Sequence, residues 1–159
     1  MMEIDEIKKV AEEIRQYLLR SDFDVEAGLL WAEVKKLERA EDPIGPLREL
    51  LSLCSARGLN DLAVLPEFWH PLGEQTGKLR SLCISWIKEL GWRAAPILYD
   101  PRKLGMAVSI LERDYGYPEE KAKETVLKAF ERMPDVNRIP DDPDIFRRIF
   151  AAQHRKGRI

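Results

Sequence analysis

Apolar residues recur at steps of three and four along most of the chain, and this spacing constrains the fold more than any other feature. It predicts one apolar face on a helix over residues 4–18 and a wider face on a helix over residues 24–40. In the segment 79–90 the apolar residues step by 3, 1, 3, 1 and 3, which predicts the central helix of the fold. The wide face of the second helix consists of Val25, Leu29, Leu30, Ala32, Val34 and Leu37.

Residues typical of helix ends divide the rest of the chain. An aspartate stands before a proline at Asp100 and again at Asp142, a pair that favours an N-cap followed by the first helical residue. Prolines and glycines between residues 66 and 77 predict irregular chain. The segment 92–99 could be extended, although Pro96 argues against a central strand. Glycines expected at helix C-termini are Gly58, Gly91 and Gly116.

These signals predict an all-α fold, an irregular bundle of six or seven helices with little or no β-sheet. With 159 residues, the chain is expected to form a single helical domain over 1–159, ending in a flexible basic segment at 155–159. The alternative is a subdivision into 1–91 and 100–155.

Composition narrows the class of protein. No apolar run approaches the about 18 residues that span a bilayer, and no apolar segment follows the charged N-terminus as in a secretory signal, so we expect a cytoplasmic protein. The chain has five Asn and Gln residues but abundant Glu, Lys and Arg, a bias typical of hyperthermophiles. A thermophilic source is therefore one interpretation, and a charged helical protein of a mesophile is the other.

No motif predicts a cofactor or a metal site. The segment Gly73–Leu79 resembles a phosphate-binding loop but has three residues between its glycines instead of four, and Leu79 replaces the Ser or Thr that binds Mg²⁺. We interpret it as a loop entering a helix. Cys54 and Cys83 stand on apolar faces without a close ligand pair, and we expect both to be core residues.

Charge is unevenly distributed along a chain whose net charge is only −2. Residues 1–50 carry 13 acids and 8 bases, a balance of −5, whereas residues 145–159 carry five bases and no acid. A cationic segment of this kind is typical of contact with RNA or DNA phosphates; a membrane surface is a less favoured partner, and the third alternative is an acidic protein surface. The candidate nucleic-acid-binding residues are Arg147, Arg148, Arg155, Lys156 and Arg158.

Other charged and aromatic residues have more ordinary interpretations. The lysines of the segment 118–133 alternate with glutamates, which predicts surface ion pairs at helical spacing. Between Pro66 and Pro71, two aromatic rings and an imidazole form a candidate protein contact, the alternative being that the rings plug the end of the bundle. The candidate partner-binding residues are Phe68, Trp69 and His70.

Three functional hypotheses follow. The first is a non-enzymatic helical interaction module or accessory subunit of a larger assembly, for which we expect a protein partner. The second is a nucleic-acid-associated protein that binds phosphate backbone through the basic C-terminal helix. The third is a metal-independent helical ribonuclease, because Arg148 and His154 on one helix are similar to the arrangement in HEPN nucleases, although Ile149 replaces the polar residue that usually follows their arginine.

Overall fold

A computed structural model describes residues 2–54, 69–133 and 135–158, and these residues form helices and connecting turns with no β-strand. The predicted all-α fold is confirmed. The helices are α1 Met2–Arg20, α2 Asp24–Arg39, α3 Ile44–Leu53, α4 Trp69–Leu90, the short α5 Ala95–Leu98, α6 Pro101–Tyr115, α7 Glu119–Glu131 and α8 Pro143–Arg155, with 3₁₀ turns at Gly91–Ala94 and Val136–Arg138. No helix within these described ranges is long and apolar enough to cross a membrane.

Contacts divide the chain into two compact units, Met1–Glu89 and Leu90–Ile159. The boundary falls near residue 91, where the alternative subdivision ends its first part. The single domain and the subdivision both stay predictions, and each unit is described here by itself.

In the first unit, α2 packs against both α1 and α3. The predicted face of α1 is confirmed, with Ile7, Ala11 and Ile14 fully buried. The wide face predicted for α2 is divided: Leu30 is fully buried, whereas Val25 is 71% exposed and Leu29 is 54% exposed. Adjacent helical residues lie 100° apart, so a helix that packs through one stripe leaves the next stripe in solvent.

Helix α4 begins at Trp69, so the prediction of irregular chain as far as residue 77 is wrong. Pro71 lies in the first turn, where backbone N–H groups have no partner within the helix, and proline is tolerated there. The segment Gly73–Leu79 is helical rather than a loop. Its two glycines each cost about 1 kcal/mol in a helix, a cost offset by a buried stripe that consists of Leu72, Thr76, Leu79, Cys83 and Ile87.

Residues 92–98 of the segment 92–99 are helical rather than extended, and Tyr99, which follows the helix, has an extended backbone. Gly91 has φ +76°, which allows α4 to end there and a 3₁₀ turn to follow. Pro96 then occupies the first turn of α5, where its missing N–H leaves no bond unmade.

The second unit is built on an aromatic core. Its α6 packs against both α7 and α8. The rings of Phe130 on α7 and Phe146 on α8 lie 6.0 Å apart, and Phe150 follows at 6.3 Å from Phe146. All three rings are buried, and Tyr99 meets Phe130 edge-on at 5.4 Å. Aromatic rings at these separations fix both α7 and α8 in the core.

A polar junction pins the Val136–Arg138 turn to the start of α6. The side chain of Asn137 donates to the carbonyl of Leu98 at 2.9 Å and accepts from the backbone N–H of Asp100 at 3.2 Å. Buried Lys103 donates to the carbonyls of Val136 and Asn137. We call these residues, Leu98, Asp100, Lys103 and Asn137, the polar junction.

The predicted ends of α6 and α8 are confirmed. Asp100 accepts a hydrogen bond from the backbone of Arg102 at 2.9 Å, and Asp142 does the same for Asp144 at 2.9 Å. Gly116 ends α6 with φ +66°, a left-handed conformation that L residues rarely adopt.

Replacement of Gly116 by alanine is expected to destabilise the protein by about 1–2 kcal/mol, because a Cβ is strained at positive φ. Gly105, in the interior of the same helix, is the matched control: an added Cβ there meets no atom within 4 Å. Gly105→Ala is expected to stabilise by about 0.5–1 kcal/mol. Urea unfolding of both variants checks the prediction, which equal effects of the two substitutions would contradict.

Candidate nucleic-acid interface

Arg147 differs from the other candidate cations because its charge is paired with two carboxylates. Its guanidinium lies 3.2 Å from Asp114 of α6 and 3.2 Å from Asp144, one turn earlier on α8. Two carboxylates neutralise this charge locally. Asp114 is 33 positions away in sequence, so the sequence pattern alone did not reveal the pairing.

The other four candidate cations are Arg148, Arg155, Lys156 and Arg158, and all four are exposed. Within the part of the chain that the structure describes, no carboxylate pairs with them. Arg148 and Arg155 are seven residues apart, and two turns of an α-helix bring such residues to the same face. The structure thus places an unneutralised positive surface along α8 and around its C-terminus.

The chain after α8 closes into a hydrogen-bonded turn. The N–H of Gly157 donates to the carbonyl of His154 at 3.0 Å, and the N–H of Arg158 donates to that of Gln153 at 2.9 Å. With Gly157 at φ +69°, this is a Schellman motif. It gives Lys156 and Arg158 defined positions beside the helix end, while the flexibility expected of residues 155–159 stays a prediction.

Arg132 joins these cations from the end of α7. Its guanidinium lies 3.5 Å from the carbonyl of Arg158, and the residue is exposed. We call Arg132, Arg155, Lys156 and Arg158 the basic end. The sequence did not connect Arg132 with the C-terminus because 26 residues separate it from Arg158.

An aromatic stack lies next to the basic end. Tyr115 and His154 stack with ring centroids 5.2 Å apart and planes at 27°, and Tyr117 lies 6.0 Å from Tyr115. His154 is exposed, and both tyrosines are half-buried. Lys121 places its ammonium 4.2 Å from the centre of the Tyr117 ring, a cation–π contact. We call Tyr115, Tyr117 and His154 the aromatic stack.

Sequence reasoning found His154 but not its partners. The available signal was the sequence Tyr115-Gly116-Tyr117, two rings flanking the glycine that ends α6. Only the packing of α8 against α6 brings the Tyr115 ring beside His154.

Two lysines of α7 form the predicted ion pairs. Lys123 contacts Glu119 at 3.0 Å, and Lys128 contacts Glu124 at 3.7 Å. The hydrogen bond with Glu119 raises the pKa of the Lys123 ammonium. These charges are balanced on α7 itself and add little to a surface for anions.

Helix α8 does not bring Arg148 and His154, the two residues of the ribonuclease hypothesis, to the same face. Arg148 and His154 are six positions apart, which on an α-helix is about 240° around the axis and about 9 Å along it. His154 instead stacks on Tyr115. Ribonuclease activity stays a prediction, and Arg148 and His154 do not lie on one face of α8 to support it.

The candidate protein contact at Phe68, Trp69 and His70 receives no test. Phe68 lies outside the described residues, as do the side chains of Trp69 and His70, whose backbone forms the first residues of α4. Their role as partner-binding residues stays a prediction.

Both cysteines are core residues, as predicted. Cys54 and Cys83 are buried, and burial raises the pKa of each thiol to about 12. Such thiols stay protonated at neutral pH, which makes them poor nucleophiles and poor metal ligands. Among the described residues, no group of His, Cys, Asp and Glu side chains is arranged to hold a metal ion.

A groove of about 850 Å³ lies between α1 and α4 in the first unit. Its charged lining residues are two glutamates and two lysines, so it has no uniform sign. The lining residues are Glu6, Lys9, Val10, Glu13, Gln75, Gly77, Lys78, Ser81, Leu82 and Ser85. A polyanion is attracted by a surface of one sign, which the basic end offers and this groove does not.

Comparison of the chain with models of protein families, with curated proteins and with solved structures finds no match.

Native protein is expected to react slowly with a thiol reagent such as DTNB at pH 8, because both thiols are buried with pKa values raised to about 12. In urea, both cysteines should react within the mixing time of the reagent. A rapid reaction of one thiol per native chain would contradict the assignment of both cysteines to the core.

Proposed function

We propose that the protein is a nucleic-acid-associated accessory protein that binds phosphate backbone through its second unit. The observation that carries this proposal is the set of exposed cations on and after α8, which have no carboxylate partner among the described residues while Arg147 has two. The proposal includes no catalytic step, and the cytoplasmic location expected from the sequence is part of it.

The charge pattern supports a polyanion more than a membrane surface. Membrane-surface helices insert an apolar face below the lipid headgroups. On α8 that face is already used, because Phe146 and Phe150 are fully buried in the unit. Favourable interaction with the C-terminal end of the α8 dipole explains one or two cations, whereas four exposed cations follow Arg147 with no acid between them.

The proposal predicts a steep dependence of binding on salt. Four phosphate contacts give a slope near −3 in a plot of log affinity against log salt for single strands, or about a 50-fold loss between 50 and 200 mM. The measurement is fluorescence anisotropy with labelled RNA and DNA across this range. A variant with Gln at Arg148, Arg155, Lys156 and Arg158 is expected to lose most of the affinity and most of the slope.

A control of equal charge makes this experiment specific. Arg102, Lys123, Lys128 and Arg138 lie in the same unit and contact carboxylates. Their replacement by Gln changes the net charge by the same amount and is expected to leave binding within about threefold, because these charges are already balanced. The proposal is wrong if wild type binds neither RNA nor DNA at 50 mM salt, if both variants lose affinity equally, or if anionic vesicles bind as tightly as the oligonucleotides.

The incubated RNA also tests the third hypothesis. RNA that stays intact agrees with a binding role. RNA that is cleaved by wild type and not by His154→Ala would contradict the non-catalytic proposal and favour a ribonuclease.

The interaction-module hypothesis is the second candidate, and exposed apolar side chains of α2 favour it. Val25 is 71% exposed and Leu29 is 54% exposed, and both lie on one face because they are four residues apart. Asp22 and Asp24 are exposed beside Val25. Apolar side chains with an acidic border complement a basic amphipathic helix, so we propose such a helix of a partner protein as the occupant.

A defined peptide tests this second candidate. A labelled amphipathic Leu/Lys helix is expected to bind the wild type and to lose at least about tenfold in affinity on Val25→Asn, Leu29→Asn protein, which keeps every charge. A peptide of the same composition with scrambled order is the control for charge alone. Equal binding of both peptides, or unchanged binding of the helical peptide to the variant, would contradict the assignment of this face. If the wild type self-associates and the variant does not, a second copy of the chain occupies the face instead.

A further inference from the structure

We infer that the nucleic acid bound by the second unit is single-stranded and that an unpaired base stacks on the aromatic stack while phosphates contact the basic end. This inference rests on the proposed function. It adds a ligand class and a second mode of contact, one that does not depend on charge.

The exposed imidazole of His154 makes the stack available. Tyr115 covers part of His154 at a centroid distance of 5.2 Å, yet His154 remains an exposed residue. Tyr117 is half-buried and has the ammonium of Lys121 4.2 Å from its ring centre. Bases stack on such rings whatever their identity, because every base has a π-face.

The stack and the basic end are held in one arrangement. His154 directly precedes Arg155 and Lys156, and its carbonyl accepts the hydrogen bond from Gly157 that forms the Schellman motif. Arg158 follows at the same turn and contacts Arg132 through its carbonyl. A ring and several cations thus lie within about one helical turn, roughly 5 Å along the axis. Groups that are already positioned bind with a smaller entropic cost.

A duplex cannot use both parts of this surface. In double-stranded DNA the base faces are covered by their neighbours, and only the base edges are open in the grooves. A duplex would therefore contact the basic end through phosphates and leave the aromatic stack unused. A single strand can turn a base out and use both, so a preference for single strands measures the contribution of the rings.

The stack also has a purely structural interpretation. Contact between Tyr115 and His154 joins the ends of α6 and α8, and aromatic pairs contribute about 0.5–1.5 kcal/mol beyond burial. Under this interpretation, loss of the His154 ring lowers stability and changes binding to single strands and duplexes alike. The two interpretations therefore differ in the ratio of single-strand affinity to duplex affinity, which can be measured.

The test compares an unstructured 20-nucleotide single strand with a 20-base-pair duplex at 50 mM salt, for wild type, His154→Ala and His154→Phe. Wild type is expected to prefer the single strand by about tenfold or more. His154→Ala should lose about five- to 150-fold on the single strand, the range measured for base–aromatic stacking, and stay within about twofold on the duplex. His154→Phe restores a flat ring and should restore the preference.

A spectroscopic signal separates stacking from a change of shape. A single strand that contains 2-aminopurine is expected to be quenched by wild type and by His154→Phe and not by His154→Ala. Tyr117→Ala and Tyr117→Phe repeat the comparison at a second ring. Thermal unfolding of each variant identifies any that fails to fold, and the Phe variants then decide.

Failure of this inference is distinct from failure of the proposed function. The inference is overturned if wild type binds the duplex as tightly as the single strand, if His154→Ala weakens both equally, or if His154→Phe restores neither the preference nor the quenching. Absence of salt-dependent binding to either form would instead overturn the proposed function.

Discussion

Burial of Phe146 and Phe150 holds α8 in place, and the candidate interface depends on that burial. A helix of 13 residues is marginal in water by itself, so α8 needs a packed face to persist. Both rings are fully buried and continue the contact from Phe130 of α7. Truncation of a buried Phe to Ala lowers the free energy of unfolding by about 3–5 kcal/mol. An apolar contact on one face thereby positions the charges on the others.

Local signals predicted the helix type and many of the helix ends. Asp100 and Asp142 cap helices because their carboxylates meet backbone N–H groups two residues later, an interaction contained within three residues. The start of α4 was misjudged because Pro71 and the glycines that follow it are counted as breakers by local propensity. The buried stripe of α4 outweighs their cost. The spacing of apolar residues also predicted one wide face on α2, whereas packing buries Leu30 and leaves Leu29 in solvent.

The sequence predicted the charges of the candidate site but not the residues that contact them. The four exposed cations Arg148, Arg155, Lys156 and Arg158 stand in one segment of sequence, so their sign and location were visible there. The pairing of Arg147 with Asp114, the approach of Arg132 to Arg158 and the stacking of Tyr115 on His154 join positions 26 to 39 residues apart. Such pairs form only when α6, α7 and α8 pack together. For the same reason, nothing in the sequence linked the Tyr-Gly-Tyr turn to the basic end.

The polar junction has a consequence for chemical ageing of the protein. Asparagine is thermolabile, and the chain contains only two asparagines. At Asn137 both ends of the amide are in use, the nitrogen as donor to Leu98 and the oxygen as acceptor from Asp100. Deamidation would exchange that nitrogen for an oxygen 2.9 Å from a carbonyl oxygen, setting two acceptors against each other. A one-atom change at this side chain would thus weaken the junction that holds the turn between α7 and α8, and leave Lys103 as its main contact.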